Sequence, residues 1–145
     1  MALPQPENGL VLSYTYLWRH EAAAGLTEGR KNRPAAILLC VNRMDAVAPQ
    51  VTVAPITHSP PQDPAAAVEI PPSVKAHLGL DYERSWVVLD DLNVFTWPGF
   101  DLAPVPGHPD RFAYGLLPPA FYRRLIEQFA QLRRERRIAV QTRAD

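Results

Sequence analysis

The chain has 145 residues, 15 basic and 15 acidic side chains, 47 % hydrophobic and 21 % charged residues, a composition that fits one globular domain with its own core and argues against disorder. Its longest apolar run, Pro34–Val41, falls far short of the ~20 residues of a membrane helix, the segment from Met1 to Glu7 has no signal-peptide pattern, and the single cysteine rules out an internal disulfide framework. A soluble cytoplasmic domain spanning 1–145 is the expectation, with an irregular stretch at 1–8 and a frayed tail at 138–145.

Sixteen prolines disfavour long helices and long central strands over most of the chain. Gly9–Leu17 has strand composition, Val11, Ser13 and Thr15 facing one way and Leu10, Leu12, Tyr14 and Tyr16 the other. Arg19–Asn32 is small, polar and glycine-containing, and reads as a loop. Ala35–Val41, a continuous apolar run after a proline, predicts a strand buried on both faces, with Cys40 a buried packing residue. Val51–Ile56 is a β-branched strand ending in Thr57-His58-Ser59 and a proline-rich turn. Val68–Ile70 is another short strand.

Pro71–Leu78 starts on prolines and stops at Gly79, the pattern of one or two helical turns. Trp86–Leu89 and Leu92–Phe95 read as strand pieces around Asp90-Asp91, Gly99–Gly107 as irregular chain, and Arg111–Tyr114 as an edge strand. Pro118 and Pro119 open the one long helical pattern, whose apolar stripe is Phe121, Leu125, Phe129 and Leu132. Short strands followed by a terminal helix predict a small, mostly β barrel with the helix against it. Charge is segregated: residues 123–143 hold seven arginines against Glu127 and Glu135, while residues 81–110 hold six carboxylates against Arg84. Zero net charge therefore leaves a local field able to hold a polyanion.

Most catalytic signatures are absent. The histidines at 20, 58, 77 and 108 form no local ligand pair, and with one thiol a zinc site has little support, so neither metal nor cofactor is expected. Gly25–Asn32 (GLTEGRKN) is one residue short of a phosphate loop and has Asn32 where Ser or Thr would bind magnesium. No G-x-S-x-G elbow is present.

Four segments carry a different signal. Arg33-Pro34-Ala35-Ala36-Ile37-Leu38-Leu39 and Val53-Ala54-Pro55-Ile56-Thr57 resemble two successive strands of the MazF/PemK family of toxins from bacterial toxin–antitoxin modules. Ser85–Asp90 resembles the strand that leads to that family's acidic residue, and His20-Glu21, followed by Gly25, looks like a segment of the PemK branch. The resemblance covers the chain from about Gly9 to the C-terminal helix. It implies an SH3-like barrel of the MazF/PemK/CcdB type, a homodimer, and metal-independent cleavage of single-stranded RNA by attack of a ribose 2′-hydroxyl. It also implies a cognate antitoxin partner, with DNA met only through the antitoxin complex.

The residue types suit that chemistry. A carboxylate or histidine takes the 2′-proton. A guanidinium holds two phosphate oxygens and stabilises the charge of the pentacoordinate state, and a threonine hydroxyl donates to the same phosphate. Arg33, Thr57, Asp90 and His20 are the catalytic candidates. Glu21, Arg30, Lys31, His58, Ser59, Asp91, Asn93 and Trp97 are the RNA-binding candidates.

Two departures from the pattern matter. Asn93 stands where the family usually places an arginine, about three residues after the acid, and Asp91 adds a negative charge. Arg30 or Lys31, on an extended loop, is a candidate replacement cation. Structural readings compete throughout: Arg33 paired with Asp90 or Asp91, Thr57 as a strand-end hydroxyl bonding backbone, Asp90-Asp91 as turn residues, and the arginine-rich helix as a solvated face rather than an RNA track. Trp86 reads as core, and Trp97 as a stacking or dimer residue. The competing function is a non-catalytic nucleic-acid- or protein-binding module.

Overall fold

The computed structural model describes residues 3–44 and 46–143. The chain is mostly β, with eight strands and three helices among the described residues. In order these are β1 (Leu10–Thr15), α1 (Arg19–Ala23), β2 (Asn32–Val41), β3 (Gln50–Thr57), a 3-10 turn (Pro64–Ala66) and β4 (Ala67–Glu69). There follow α2 (Pro72–Leu78), β5 (Trp86–Val88), β6 (Asp91–Thr96), β7 (Ala113–Leu116), α3 (Pro119–Arg134) and β8 (Ala139–Thr142).

The main strand path is β4-β5-β3-β2-β1-β7, antiparallel throughout. The sheet branches at β3. Its first half, Gln50–Val53, pairs with β6, and its last two residues, Ile56 and Thr57, pair with β5. Among the described residues no pairing joins the ends of the path, so the sheet is open, a correction to the small barrel that the strand pattern predicts. The reason lies in β7: it has four residues, slips register against β1 between Val11 and Leu12, and runs into Pro118-Pro119, which have no N–H to extend a ladder.

Alternation along the central strands buries both faces. Val11, Ala36, Leu38, Ala54 and Ile56 meet α2 and α3 through Val74, Leu78, Phe121, Leu125, Phe129 and Leu132. Leu12, Tyr14, Tyr16, Ile37, Val53 and Phe95 point the other way, where Trp97, Leu102 and Ala113 cover them. The predicted stripe of α3 is thus the buried one, and Pro118 and Pro119 open that helix. α2 ends at Gly79, whose φ of 69° is left-handed backbone that glycine adopts without a Cβ clash.

Three expectations are corrected. The stretch 19–32 contains a helix, α1, whose entry is held by the Glu21 carboxylate accepting from the Trp18 N–H at 3.0 Å. Its five residues are too few to show an apolar period. The tail from 138 is not frayed: β8 runs parallel to β6, and Arg143 is buried, while Ala144 and Asp145 lie outside the described residues. Cys40 is half-buried, its thiol 3.6 Å from the Pro6 carbonyl oxygen. Residues 3–8 are irregular as expected, and Met1 and Ala2 lie outside the described residues.

Candidate functional site

Antiparallel pairing brings the start of β2 beside the end of β3. The register Ala35↔Pro55, continued by two residues, sets Arg33 level with Thr57. β5 pairs with Thr57 through Trp86, and the turn after β5 carries Asp90. The loop between α1 and β2 is drawn tightly inward: a Cβ on Gly29 would sit 2.0 Å from the Tyr16 carbonyl oxygen, so no larger residue fits there. Together these segments and the chain after β3 enclose a groove of about 910 Å³.

Seven of the predicted residues line this groove: His20, Lys31, Arg33, Thr57, His58, Ser59 and Asp90. Arg33 is half-buried, with its guanidinium carbon 5.0 Å above the centre of the Trp18 ring, and it forms no ion pair with Asp90 or Asp91. Its Nε is buried without a hydrogen-bond partner. Burial pulls the Arg33 pKa down, against the opposing charge of Glu21. His20 stacks on the Trp18 ring at 6.4 Å, and Trp18 meets Tyr16 edge-on at 5.1 Å. The groove therefore has an aromatic shelf carrying an under-bonded cation.

Thr57 Oγ1 accepts from the Ser59 N–H at 3.1 Å, the strand-end bond its residue type suggests, and its own O–H proton is left to donate. Burial, reinforced by Asp91, raises the Asp90 carboxyl above its ordinary value. The Asp90 carbonyl accepts from the Ala139 N–H at 2.9 Å, so β8 holds this turn in place.

Five candidates do not line the groove. Glu21 is buried at the start of α1, and Arg30, with its side chain 74 % exposed, lies 3.8 Å from that carboxylate. Asp91 accepts from the Tyr16 hydroxyl at 2.8 Å and from the Arg19 N–H at 3.0 Å, and has a structural task. Asn93 is fully buried and bonds the Leu17 backbone. Trp97 stacks on Phe95 at 6.2 Å beneath the opposite face of the sheet. Glu21, Asp91, Asn93 and Trp97 are held by protein groups or packed into a core, while Arg30 extends into solvent.

Sequence reasoning missed the α2 wall. Lys75 is buried there, its ammonium donating to Asp81 Oδ1 at 2.5 Å, to Ser85 Oγ at 2.8 Å and to the Glu83 carbonyl. Asp81 also accepts from the Glu83 N–H and lies 2.7 Å from His58 Nε2. Burial pushes the Asp81 carboxyl up, but the bonds from Lys75, His58 and Glu83 outweigh it and hold it below its ordinary value. The available signal was faint: Lys75 sits between Val74 and Leu78 on the inward side of a two-turn helix. His58, Asp81 and Glu83 bring potential ligand atoms within 4.8 Å of one another, yet both Asp81 oxygens are already taken by Lys75 and His58.

The groove thus joins a guanidinium with an unpartnered Nε, a threonine hydroxyl, a carboxyl of raised pKa and two histidines. Chemically, such a donor and acid set can hold an oxyanion and move a proton beside it. No family model, curated protein or solved structure matches this chain. No helix among the described residues is long and apolar enough to cross a membrane.

Proposed function

We propose that the chain is a metal-independent endoribonuclease of the MazF/PemK kind, the toxin of a type II toxin–antitoxin module. The observation that carries this reading is that Arg33, Thr57, Asp90 and His20, from four separate segments, line one groove. In the proposed reaction a ribose 2′-hydroxyl loses its proton to Asp90, with His20 as the alternative base, a step worth ~10²–10⁴-fold. The 2′-oxygen attacks phosphorus, Arg33 and Thr57 hold the non-bridging oxygens, and the bond to the 5′-oxygen breaks. The products are a 2′,3′-cyclic phosphate and a 5′-hydroxyl.

The β1-β2-β3 meander with β5 and β6 branching from β3 is, in this reading, an opened SH3-like barrel. A homodimer in the cytoplasm, a small antitoxin covering the groove, and DNA contact only through the antitoxin complex complete the proposal. Lys31, His58 and Ser59, from two loops of the groove, are its RNA-binding residues.

The test is incubation of the purified protein with mixed-sequence single-stranded RNA in excess chelator. Cyclic-phosphate products that disappear in Arg33→Ala support the proposal, and intact RNA across broad sequence contexts refutes it. One observation favours a second reading, a binding module without cleavage: Asn93 is sealed in the core and offers the groove no charge. Salt-dependent RNA binding without products would establish that alternative.

A further inference from the structure

The α2 wall holds a built relay. Lys75, only 5 % exposed, is fixed by three oxygen partners, and one of these, Asp81, turns its second oxygen to His58 Nε2 at 2.7 Å. Burying an ammonium is costly unless it is fully paired. Here the pairing has a second effect: it fixes the carboxylate that orients a histidine in the groove. His58 is half-exposed and follows Thr57 directly in sequence. With Nε2 anchored on Asp81, Nδ1 is the remaining ring nitrogen. It lies 3.5 Å from Glu83 Oε2, on a side chain that is 74 % exposed.

Resting on the reading above, we infer that His58 is the general acid of the cleavage, with Asp81 and Lys75 as its positioning residues. RNA cleavage needs a proton for the departing 5′-oxygen. Asn93 is committed to the Leu17 backbone, Arg33 is the phosphate clamp, and Lys75 is sealed behind its three partners. His20 stacks on Trp18 elsewhere along the groove wall, and no carboxylate among the described residues orients its ring. His58 is the groove histidine supported by a carboxylate from another element. The steps balance: the 2′-hydroxyl proton passes to Asp90, the 2′-oxygen forms its bond to phosphorus, and the phosphorus–5′-oxygen bond breaks. His58 Nδ1 gives its proton to that oxygen, and solvent then returns a proton to His58 and removes one from Asp90.

The experiment compares an RNA with its analogue carrying sulfur in place of the bridging 5′-oxygen at the cleaved bond. A thiolate leaves without protonation, so the analogue bypasses the acid. His58→Ala and His58→Gln are expected to lose about 10²-fold or more on the oxygen substrate and to cleave the sulfur substrate within a few fold of the wild type. Asp81→Asn is expected to show a smaller loss with the same selectivity. A His58 variant that keeps normal rates, or one impaired equally on both substrates, overturns the assignment while leaving the endoribonuclease reading intact. Failure of the wild-type protein to cleave either substrate overturns both.

Discussion

Asn93 and Leu17 form a two-point lock between β6 and the segment entering α1: the Leu17 N–H donates to Asn93 Oδ1 at 3.0 Å, and Asn93 Nδ2 donates to the Leu17 carbonyl at 2.8 Å. The side chain is wholly buried. Asn93→Ala leaves both backbone groups buried and unpaired and should destabilise by about 2 kcal/mol or more, read as a lower urea midpoint. Asn93→Arg, which restores the residue type common in the resembled family, should destabilise at least as much because it buries an unpaired charge. Unchanged stability and raised cleavage in Asn93→Arg would contradict the lock.

Arg33 should separate function from stability. Its Nε is unpartnered and the residue is half-buried, so Arg33→Leu forfeits mainly the contact with Trp18, worth ~0.5–1 kcal/mol at an exposed site. Thermal melts should shift by only a few degrees. Cleavage should fall ~10²–10³-fold, the usual loss on removing a donor to the transition-state oxygens. Arg33→Lys keeps the charge without the two-pronged fork and should recover only part of the rate.

The raised pKa of Asp90 has a defined sign. A carboxyl that holds its proton more tightly folded than unfolded stabilises the fold below its unfolded value, near 3.8, and that stabilisation is lost as pH rises through the folded value. Asp90→Asn should therefore be more stable than the wild type at neutral pH, with the difference closing in acid. Urea midpoints between pH 3 and 7 measure this. The same variant should lose cleavage at every pH if Asp90 is the base.

Arg143 ties the chain's end to two distant segments, donating to Asp101 through Nε at 3.1 Å and Nη2 at 2.7 Å, and to the Thr27 carbonyl at 2.9 Å. Arg143→Ala strands a largely buried carboxylate and should cost about 3 kcal/mol. Because β8 also supplies the Ala139 N–H to the Asp90 carbonyl, cleavage should fall with it. Asp101→Asn in the same chain should recover part of the stability. Unfolding midpoints of the single and double variants decide the matter.

Local chemistry made much of this protein legible. The alternation of Leu10–Tyr16, the apolar run Ala35–Val41, which is fully buried only as far as Leu38, and the stripe Phe121–Leu132 announced their elements because strand and helix periods are properties of neighbouring residues. Arg33, Thr57 and Asp90 were visible as polar residues at strand ends. The fate of other candidates depended on contacts across the sheet. Asn93 and Asp91 lie within three residues of Asp90 in sequence, yet backbone groups of Leu17 and Arg19 claim them. β8 exists because it lies along β6, not because Ala139–Thr142 prefers it. Lys75, read alone, is a solvent lysine; only the placing of Asp81 and Ser85 around its ammonium makes it a buried support for His58. Period and propensity come from neighbours along the chain, whereas burial, pairing and pKa depend on groups that folding brings from afar.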